Sequence, residues 1–350
     1  MPDVKEPKKI TIYTIAKEAG VSPATVSRVL TNNAKVNPDK RERIEAVIRK
    51  YDFKPNVVAR SLSDMKRNTI GFIVSDIRNP FYSDIFAACE IAAGKAGYSL
   101  MLLNSYNNKA EEASLLDKFD QQMVDGIIQI GGNMDELISD EDYASKINQI
   151  TDRIPVVTTG KMDGTNVYSV FVDDFKALDL IFEHLISLGH SKIALVGGFK
   201  SVLSTFNKVM RFKQLIQKYK LPVVEEFCNH NNTSYDYESG YAEMQKIFDS
   251  GEIPTAVIAI NDFTAAGIHA CIRDNHYKIP EDISLVSFDN TYIAECMRPT
   301  VTSVDYNYPI FGEELIDSMI KLIDGKSVEM RRVVDPILKI RNSSGPVKRD

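Results

Sequence analysis

Four side chains between Pro23 and Arg28 have the types and spacing to form one polar and basic contact surface on a helix. On a helix that starts at Pro23, one face holds Pro23, Ala24, Ser27 and Arg28. The opposite face holds Val26, Val29 and Leu30, which can pack against a neighbouring helix. An outward face of this kind is typical of the second helix of a helix-turn-helix, which enters the major groove. The predicted chemistry is recognition of duplex DNA.

A second short helix must position this one. Apolar residues recur along the preceding segment with a helical period, at Ile12, Ile15, Ala16 and Ala19. Gly20 ends that segment, Ser22 can cap the next helix, and Pro23 suits its first position. The spacing predicts two helices joined by a tight turn, although a helical hairpin within a larger core would have the same pattern.

A third helix completes the predicted domain and adds charge. Asn37 can cap a helix that starts at Pro38 and carries Ile44, Val47, Ile48 and Tyr51 on one face. Its exposed surface is predicted to hold Lys40, Arg41, Arg43, Arg49 and Lys50. Residues 1–67 carry a net charge of +7, the remainder −13, and the chain −6. The positive charge lies where the helix pair lies, as expected of a nucleic-acid binder, whereas a charge run alone is usually a solvated face.

The segment that follows Pro55 predicts a hinge over residues 56–67. The run NVVARSL has weak helix signals and no core of its own, and isolated helices this short are marginal in water. We predict that it is disordered in the free protein and folds against DNA and a second copy of the chain. An ordinary linker is the alternative.

From Thr69 onward, short apolar runs alternate with helical stretches, which predicts an α/β fold with two doubly wound subdomains. The predicted strands are Ile70–Val74, Leu100–Leu103, Gly126–Ile130, Pro155–Thr158, Ile193–Val196, Ala256–Ile260 and Leu285–Phe288. The predicted domains are a helix-turn-helix headpiece over 10–55, the hinge, and a core over 68–345. Within the core we expect an N-subdomain of about 68–161 and 292–325, and a C-subdomain of about 162–291 and 326–345.

The carboxyl ends of these strands carry small and polar residues, and ligands of open α/β sheets bind beyond such ends. The ends include Ser75-Asp76, Gly131-Gly132, Thr159-Gly160, Gly197-Gly198, Asn261-Asp262 and Asp289-Asn290. Any one of these pairs is more often a cap or a turn. Their repetition in both halves predicts a cleft for a neutral, hydroxyl-rich ligand, with flat faces supplied by Phe81, Tyr235 and Tyr308.

Several functional classes lack their signatures in this chain. No apolar run reaches the length of a membrane span, and the N-terminus has no signal-peptide core, so we expect a cytoplasmic protein. The four cysteines and five histidines have no metal-ligand spacing, so we expect no metal and no cofactor. The phosphate-loop, dinucleotide, nucleophile-elbow and zinc-protease motifs are absent, so we expect no enzyme.

The sequence resembles the lactose-repressor (LacI/GalR) family of bacterial transcriptional regulators over nearly its whole length. The motif of highest specificity is TIYTIAKEAGVSPATVSRVL at residues 11–30, followed by PNVVARSL at residues 55–62. Weaker marks are NPFY at 79–82, VDD at 172–174, LGH at 188–190, IND at 260–262, SFDN at 287–290 and LKIRNSS at 338–344.

The resemblance implies a homodimer whose paired headpieces read a pseudo-palindromic operator. It places Pro23, Ala24 and Arg28 at base-reading positions, where Arg28 could contact a guanine edge and Ala24 a thymine methyl. It implies phosphate contacts from Ser22, Thr25, Ser27, Thr31, Lys35 and Asn56. Leu62 matches a leucine that wedges into the minor groove, with Ala59 beside it. Thr11 and Tyr13 are further DNA-binding candidates. The last residues have no leucine heptads, so we expect a dimer rather than a tetramer.

The resemblance also implies an effector cleft, with two departures from the family pattern. Its candidate residues are Asp76, Phe81, Gly160, Lys208, Tyr235, Asn261, Asp289, Tyr306 and Tyr308. Lys208 stands where an arginine usually binds sugar hydroxyls, and Gly160 stands where an acid usually follows the strand. Because lysine lacks the fork of arginine, a sugar phosphate or another polyol could replace a plain hexose.

The sequence therefore predicts a DNA-binding transcriptional regulator, an operator-binding repressor controlled by a sugar-like effector. A regulator or activator that needs a corepressor or a protein partner is the alternative within the family. A two-lobed solute-binding protein and an enzyme are the alternatives from other classes. The missing signal peptide and the headpiece argue against the first, and the absent catalytic motifs argue against the second.

Overall fold

The computed structural model describes residues 10–30, 36–51, 53, 67–228 and 234–348. The chain divides into two compact units, Met1–Arg67 and Asn68–Asp350, and each is considered by itself. The predicted hinge segment, apart from Arg67, lies outside the described residues.

The N-terminal unit contains three helices whose ends follow from capping residues. Helix α1 is Ile12–Ala19, α2 is Pro23–Leu30 and α3 is Pro38–Lys50. The Thr14 backbone N–H donates to the Thr11 hydroxyl at the start of α1, and Gly20 ends this helix with φ 65°. Asn37 caps α3 by accepting from the Asp39 N–H at 2.9 Å. These helices confirm the predicted arrangement.

The core of this unit is the set of apolar stripes that the sequence predicted. Its buried members are Ile15, Ala16, Ala19, Val26, Val29 and Ile44. Polar contacts also join α1 to the end of α3, because Glu18 accepts from Lys50 Nζ at 2.5 Å and from the Tyr51 hydroxyl at 2.6 Å. The Lys50 hydrogen bond, with that of Tyr51, lowers the pKa of Glu18.

The C-terminal unit contains two sheets, of which the first has the order β10-β5-β4-β3-β1-β2. Its strands are β1 Thr69–Val74, β2 Ser99–Asn104, β3 Gly126–Ile130, β4 Val156–Thr158, β5 Tyr168–Val172 and β10 Arg331–Val334. All of its pairings are parallel. The helices of this subdomain are α4 Pro80–Lys95, α5 Lys109–Gln122, α6 Glu141–Thr151 and α12 Tyr308–Ile323.

The second sheet has the order β11-β9-β8-β7-β6. Its strands are β6 Ile193–Val196, β7 Ala256–Ala259, β8 Ser284–Asp289, β9 Thr302–Asp305 and β11 Ile337–Lys339, of which β11 alone pairs antiparallel. The accompanying helices are α7 Asp174–Ser187, α8 Leu203–Lys218, α9 Tyr237–Asp249, α10 Asp262–Asp274 and α11 Tyr292–Cys296. The two sheets with their helices confirm the predicted α/β class.

The chain crosses between the two subdomains at later residues than the sequence predicted. Strand β5 pairs with β4 in the first sheet, beyond the predicted boundary near residue 161. Strand β9 pairs with β8 in the second sheet, beyond the boundary near 291, and β10 belongs to the first sheet, beyond the boundary near 325. The predicted bounds were wrong here because backbone pairing with distant strands, rather than local pattern, decides where each segment belongs.

Among the helices that the structure describes, none has the length and apolarity required to cross a membrane.

Candidate DNA interface and ligand cleft

The outward face of α2 lies as predicted. Pro23, Ala24 and Arg28 are exposed and Ser27 is half-buried, whereas Val26 and Val29 are buried against the other helices. Leu30 is partly buried beside them. The exposed face of α2 therefore offers small apolar side chains in its first turn and the basic Arg28 in its last turn, a surface compatible with base contacts in a major groove.

The other described DNA-binding candidates lie at the starts of the first two helices. The exposed Ser22 hydroxyl accepts from the Thr25 backbone N–H at 3.3 Å and lies 2.9 Å from the Thr25 hydroxyl. Thr11 is exposed at the start of α1, and the ring of Tyr13 is 74% exposed. The predicted contacts of Thr31, Lys35, Asn56, Ala59 and Leu62 lie outside the described residues.

A cavity of about 890 Å³ lies in the core, lined from both subdomains. Eight of the nine predicted effector-binding residues line it: Asp76, Phe81, Gly160, Lys208, Tyr235, Asn261, Asp289 and Tyr306. We call this cavity the ligand cleft. The carboxyl ends of strands and the loops that follow them supply most of its wall, which is where open α/β sheets bind ligands.

Tyr308 is the predicted residue that does not line the cleft. Its ring packs near the rings of Phe81 and Tyr306, at centroid distances of 6.3 and 6.5 Å. Its hydroxyl is buried without a hydrogen-bond partner among the described residues. Tyr308 is the first residue of α12, and its ring contacts the two aromatic rings of the cleft wall.

Lys208 enters the cleft from α8 with its charge already paired. Its Nζ lies 2.7 Å from Asp174 Oδ1 and 2.5 Å from the Ser204 hydroxyl. The side chains of Lys208 and Asp174 are 5% and 14% exposed. The ammonium also lies 4.9 Å from the ring centroid of Phe288. This lysine therefore belongs to a nearly buried ion pair whose acid the sequence interpretation did not assign to the site.

Asp135 is a cleft residue that the sequence interpretation missed. It ends a short 3₁₀ helix, Gly132–Asp135, that follows β3. A Cβ added to Gly160 would collide with the Met134 carbonyl oxygen and the Asp135 carboxylate. The carboxylate thus occupies the space that a side chain at position 160 would need, so an acid approaches the cleft from a neighbouring loop instead.

A buried polar network holds the loop that carries Asp135. Glu112 accepts from the backbone N–H and the side-chain amide of Asn133, both at 3.0 Å, and from Gln129 Nε2 at 2.9 Å. A side chain at Gly132, which has φ 64°, would collide with Glu112. The loop is therefore fixed by a carboxylate that packs directly against its backbone.

Asp289 presents a second carboxylate from the end of β8. It is 6% exposed, lines the cleft and adopts φ 94°. A positive φ is uncommon for a residue other than glycine and is concentrated at functional sites. Burial, together with the charge of Asp262, raises the pKa of Asp289 well above its ordinary value.

Asp262 fixes the loop that follows Asp289. Its carboxylate accepts from the backbone N–H and hydroxyl of Thr291, at 2.6 and 3.0 Å, and from the hydroxyls of Ser287 and Ser303. Burial raises its pKa to about 6 although these hydrogen bonds oppose the shift. Asp262 is a structural acid behind the cleft wall.

Two further predicted residues line the cleft with part of their polar capacity already used. The Tyr235 hydroxyl lies 2.8 Å from the Thr205 hydroxyl. The Asn261 side chain caps α10 by accepting from the Thr264 N–H at 2.7 Å, and it donates to the Tyr235 carbonyl at 3.1 Å. These bonds hold the two side chains in fixed positions at the cleft wall.

Asp76 and Phe81 form part of the wall on the N-subdomain side. Asp76 is paired with Arg78 at 2.6 Å, and the Arg78 hydrogen bond lowers the pKa of Asp76. The Phe81 ring lies edge-on to Tyr306, with centroids 6.1 Å apart. The cleft thus combines flat aromatic faces with carboxylates. In the described parts of the chain, no group of three or more His, Cys, Asp or Glu side chains is placed to hold a metal ion.

Comparisons with family models match both units of the chain. Residues 11–56 match the model described as bacterial regulatory proteins, lacI family, and residues 182–344 match a periplasmic binding protein-like domain. The chain is 34% identical over 297 residues to catabolite control protein A of Priestia megaterium, covering 84% of this chain and 87% of that protein. It is 30% identical over 347 residues to the HTH-type transcriptional regulator DegA of Bacillus subtilis strain 168, covering 97% and 99%.

Solved structures share the fold. A lac repressor dimer bound to operator and the anti-inducer ONPF has a TM-score of 0.84 at 24% identity, covering 97% of this chain and all of that one. The transcription regulator CcpA of Lactococcus lactis has a TM-score of 0.69 at 26% identity, covering 79% and 98%. These similarities run through the core, and the lac repressor match includes the headpiece.

Proposed function

Because this chain belongs to the lacI family of bacterial regulatory proteins and is a DNA-binding transcriptional regulator, we propose that a small hydroxylated molecule in the ligand cleft controls its affinity for an operator. The observation that carries this proposal is that the cleft is lined from both subdomains. A ligand held there contacts both at once, so its binding energy depends on how the subdomains are arranged.

The proposed DNA-reading element is the exposed face of α2. Arg28, Ala24 and Pro23 are exposed on its surface, and we assign them to base contacts, with phosphate contacts from Ser22 and Thr25. A structurally similar lac repressor is a dimer bound to its operator. We propose that this chain also binds as a homodimer to a pseudo-palindromic site, and that it works in the cytoplasm as a repressor.

The proposed control is a shift between two arrangements of the core. A ligand that binds one arrangement better than the other shifts the population toward it, and DNA affinity changes with that shift. The coupling expected for such a device is about 1 to 3 kcal/mol, or roughly 5- to 150-fold in affinity. We propose no catalytic step, since the named relatives are regulators rather than enzymes.

The experiment is operator binding across a panel of ligands. Genomic fragments bound by the purified protein identify the operator, and fluorescence anisotropy then measures its affinity with and without each of a set of sugars and sugar derivatives. Arg28→Ala is the matched control, because it removes base recognition while leaving the cleft unchanged.

Two results would contradict the proposal at different points. A protein with no preference for any genomic fragment over random duplex would contradict operator recognition. Operator affinity that is unchanged by every compound that binds the core would contradict control through the cleft.

A further inference from the structure

Two carboxyl groups in the ligand cleft have no partner among the described residues, and a cation beside them would favour their ionised form. Among the described residues, the carboxylates of Asp135 and Asp289 both line the cleft, and neither makes a hydrogen bond or an ion pair. Asp135 comes from the N-subdomain and Asp289 from the C-subdomain. Both carboxylates interact electrostatically with the ion pair of Lys208 and Asp174. One carboxyl group from each subdomain therefore lies within electrostatic range of the same ion pair.

Four of the five described cations that line the cleft are paired with carboxylates, and the fifth, Arg331, lies over an aromatic ring. Lys208 is paired with Asp174 at 2.7 Å, Lys109 with Glu136 at 2.7 Å, and Lys161 with Asp163 at 3.2 Å. Arg78 is paired with Asp76. Arg331 lies over the ring of Phe171 at 4.8 Å from its centroid. At the four cations that are paired with acids, a phosphate group would have to displace a carboxylate. It would also meet the unpaired carboxyl groups of Asp135 and Asp289.

The burial and backbone conformation of Asp289 support a binding role for its carboxylate. Its side chain is more than nine-tenths buried and lines the cavity, its backbone has φ 94°, and it has no hydrogen-bond partner among the described residues. A buried carboxylate without a partner is costly, and a bound cation relieves that cost. The contacts of Glu112 with Asn133 and Gly132 fix the loop that carries Asp135 to the cleft.

We propose that the effector is a polyhydroxylated amine, such as an amino sugar, whose protonated nitrogen pairs with Asp135 and Asp289. Its hydroxyls and carbon skeleton lie against the wall formed by Phe81, Tyr235 and Tyr306. This inference rests on the proposed function, since it names the chemical class of the ligand for the same cleft. It replaces the sugar phosphate that the lysine at position 208 first suggested.

The test compares matched pairs of compounds that differ by one amino group. Isothermal titration calorimetry near neutral pH measures binding of D-glucosamine, D-galactosamine and D-mannosamine against the corresponding hexoses, and of D-glucamine against D-sorbitol. A charge-assisted hydrogen bond predicts that at least one amine binds roughly 10- to 100-fold more tightly than its neutral partner.

Three variants assign the preference to named groups. Asp135→Asn and Asp289→Asn each remove one carboxylate from the cleft, and each is expected to reduce the amine preference to about threefold or less if charge pairing is its source. Asp152→Asn removes the same charge from an exposed position at the end of α6, so it is expected to keep the full preference. Thermal unfolding of each variant confirms that it is folded, and either cleft variant alone suffices for the comparison.

The assignment is overturned if no amine in the set binds, if the neutral partners bind as tightly, or if the preference survives in both cleft variants. Operator binding measured on the same preparation separates this outcome from failure of the proposed function. Selective operator binding without an amine preference overturns the ligand class alone, whereas loss of selective DNA binding overturns the regulator model.

Discussion

The ammonium group of Lys208 lies 2.7 Å from the carboxylate of Asp174, and both side chains are nearly buried in the wall of the ligand cleft. This ion pair changes what Lys208 can contribute to ligand binding. From the sequence alone, we expect Lys208 to offer a positive charge to a ligand. In the folded protein this charge is neutralised within the wall by Asp174, whereas the carboxyl groups of Asp135 and Asp289 line the cleft without a partner among the described residues.

The first prediction concerns the stability of that pair. Lys208→Met leaves the Asp174 carboxylate with the Ser204 hydroxyl at 2.9 Å and the Asn207 amide at 3.5 Å. We expect the free energy of unfolding to fall by about 3 kcal/mol, as when one partner of a buried ion pair is removed. Urea denaturation followed by circular dichroism measures the change.

An exposed ion pair supplies the control for this prediction. Lys176 lies 2.7 Å from Asp335, with side chains that are 47% and 74% exposed. Lys176→Met is therefore expected to cost less than about 1 kcal/mol. Equal losses in the two variants would show that the pair of Lys208 and Asp174 is not effectively buried.

The second prediction concerns the close packing at Gly160. In Gly160→Ala, the added methyl group would collide with the Met134 carbonyl oxygen and the Asp135 carboxylate. We expect a loss of about 1 to 3 kcal/mol in the free energy of unfolding, as for other overpacked sites. Because Asp135 must move, binding of any cleft ligand should weaken as well.

Gly94→Ala is the matched control for Gly160→Ala. Gly94 lies near the end of α4 with no atom within 4 Å of an added Cβ. Alanine favours helix over glycine by up to about 1 kcal/mol, so this variant should be neutral or slightly more stable. A Gly160→Ala protein as stable as Gly94→Ala would mean that the loop at Asp135 yields easily.

The strands of the core differ in how far the sequence could predict them. The strands at Gly126–Ile130 and Ile193–Val196 are short apolar runs buried on both faces, and the sequence predicted them with the bounds that the structure has. Strands β10 and β11 escaped prediction because they are short and largely exposed, with no apolar run. Their place depends on pairing with β5 and β9, far away in the chain.

Helix α6 was not among the predicted elements, although the sequence contains the signals for a helix there. Asp140 caps it by accepting from the Tyr143 N–H at 2.8 Å, and the buried positions Tyr143, Ala144, Ile147 and Ile150 follow a helical period. Asp135 had no comparable signal. Its position depends on the contact between Gly132 and Glu112, which lie 20 residues apart in the sequence and meet only in the folded chain.

The third prediction concerns pH and Asp135. Burial, with the nearby charges of Asp174, Glu112 and Glu136, raises the pKa of Asp135 to about 7, and Lys208 opposes the shift. The folded state therefore binds this proton more tightly than the unfolded chain. The contribution of Asp135 to the free energy of unfolding should rise as the pH falls from about 8 to about 6, because protonation removes an unfavourable buried charge.

A comparison between variants isolates this contribution. Asp262 and Asp289, whose pKa values are also raised, act in the same direction, whereas His184 and His190, whose pKa values burial lowers, act in the opposite one. The difference in urea midpoint between the wild type and Asp135→Asn should therefore grow toward alkaline pH, with the variant the more stable. A difference that does not change with pH would place the pKa of Asp135 outside this range.

The last prediction tests the register of α2 on DNA. Arg28 is exposed on the helix whose opposite face, Val26 and Val29, is buried. Arg28→Ala is expected to cost about 1 to 3 kcal/mol of operator affinity and to relax the choice of base at one position in each half-site. Anisotropy titrations with operators substituted at each base pair measure both effects.

Arg49→Ala is the control for this prediction, because it removes the same charge from an exposed turn of α3, where Arg49 is paired with Glu45 at 3.9 Å. It should leave the base preference unchanged, because an electrostatic contribution to DNA binding does not depend on sequence. If the two variants lost affinity equally for every operator, Arg28 would be a general electrostatic contact, and the base-reading residues would have to lie elsewhere on the headpiece.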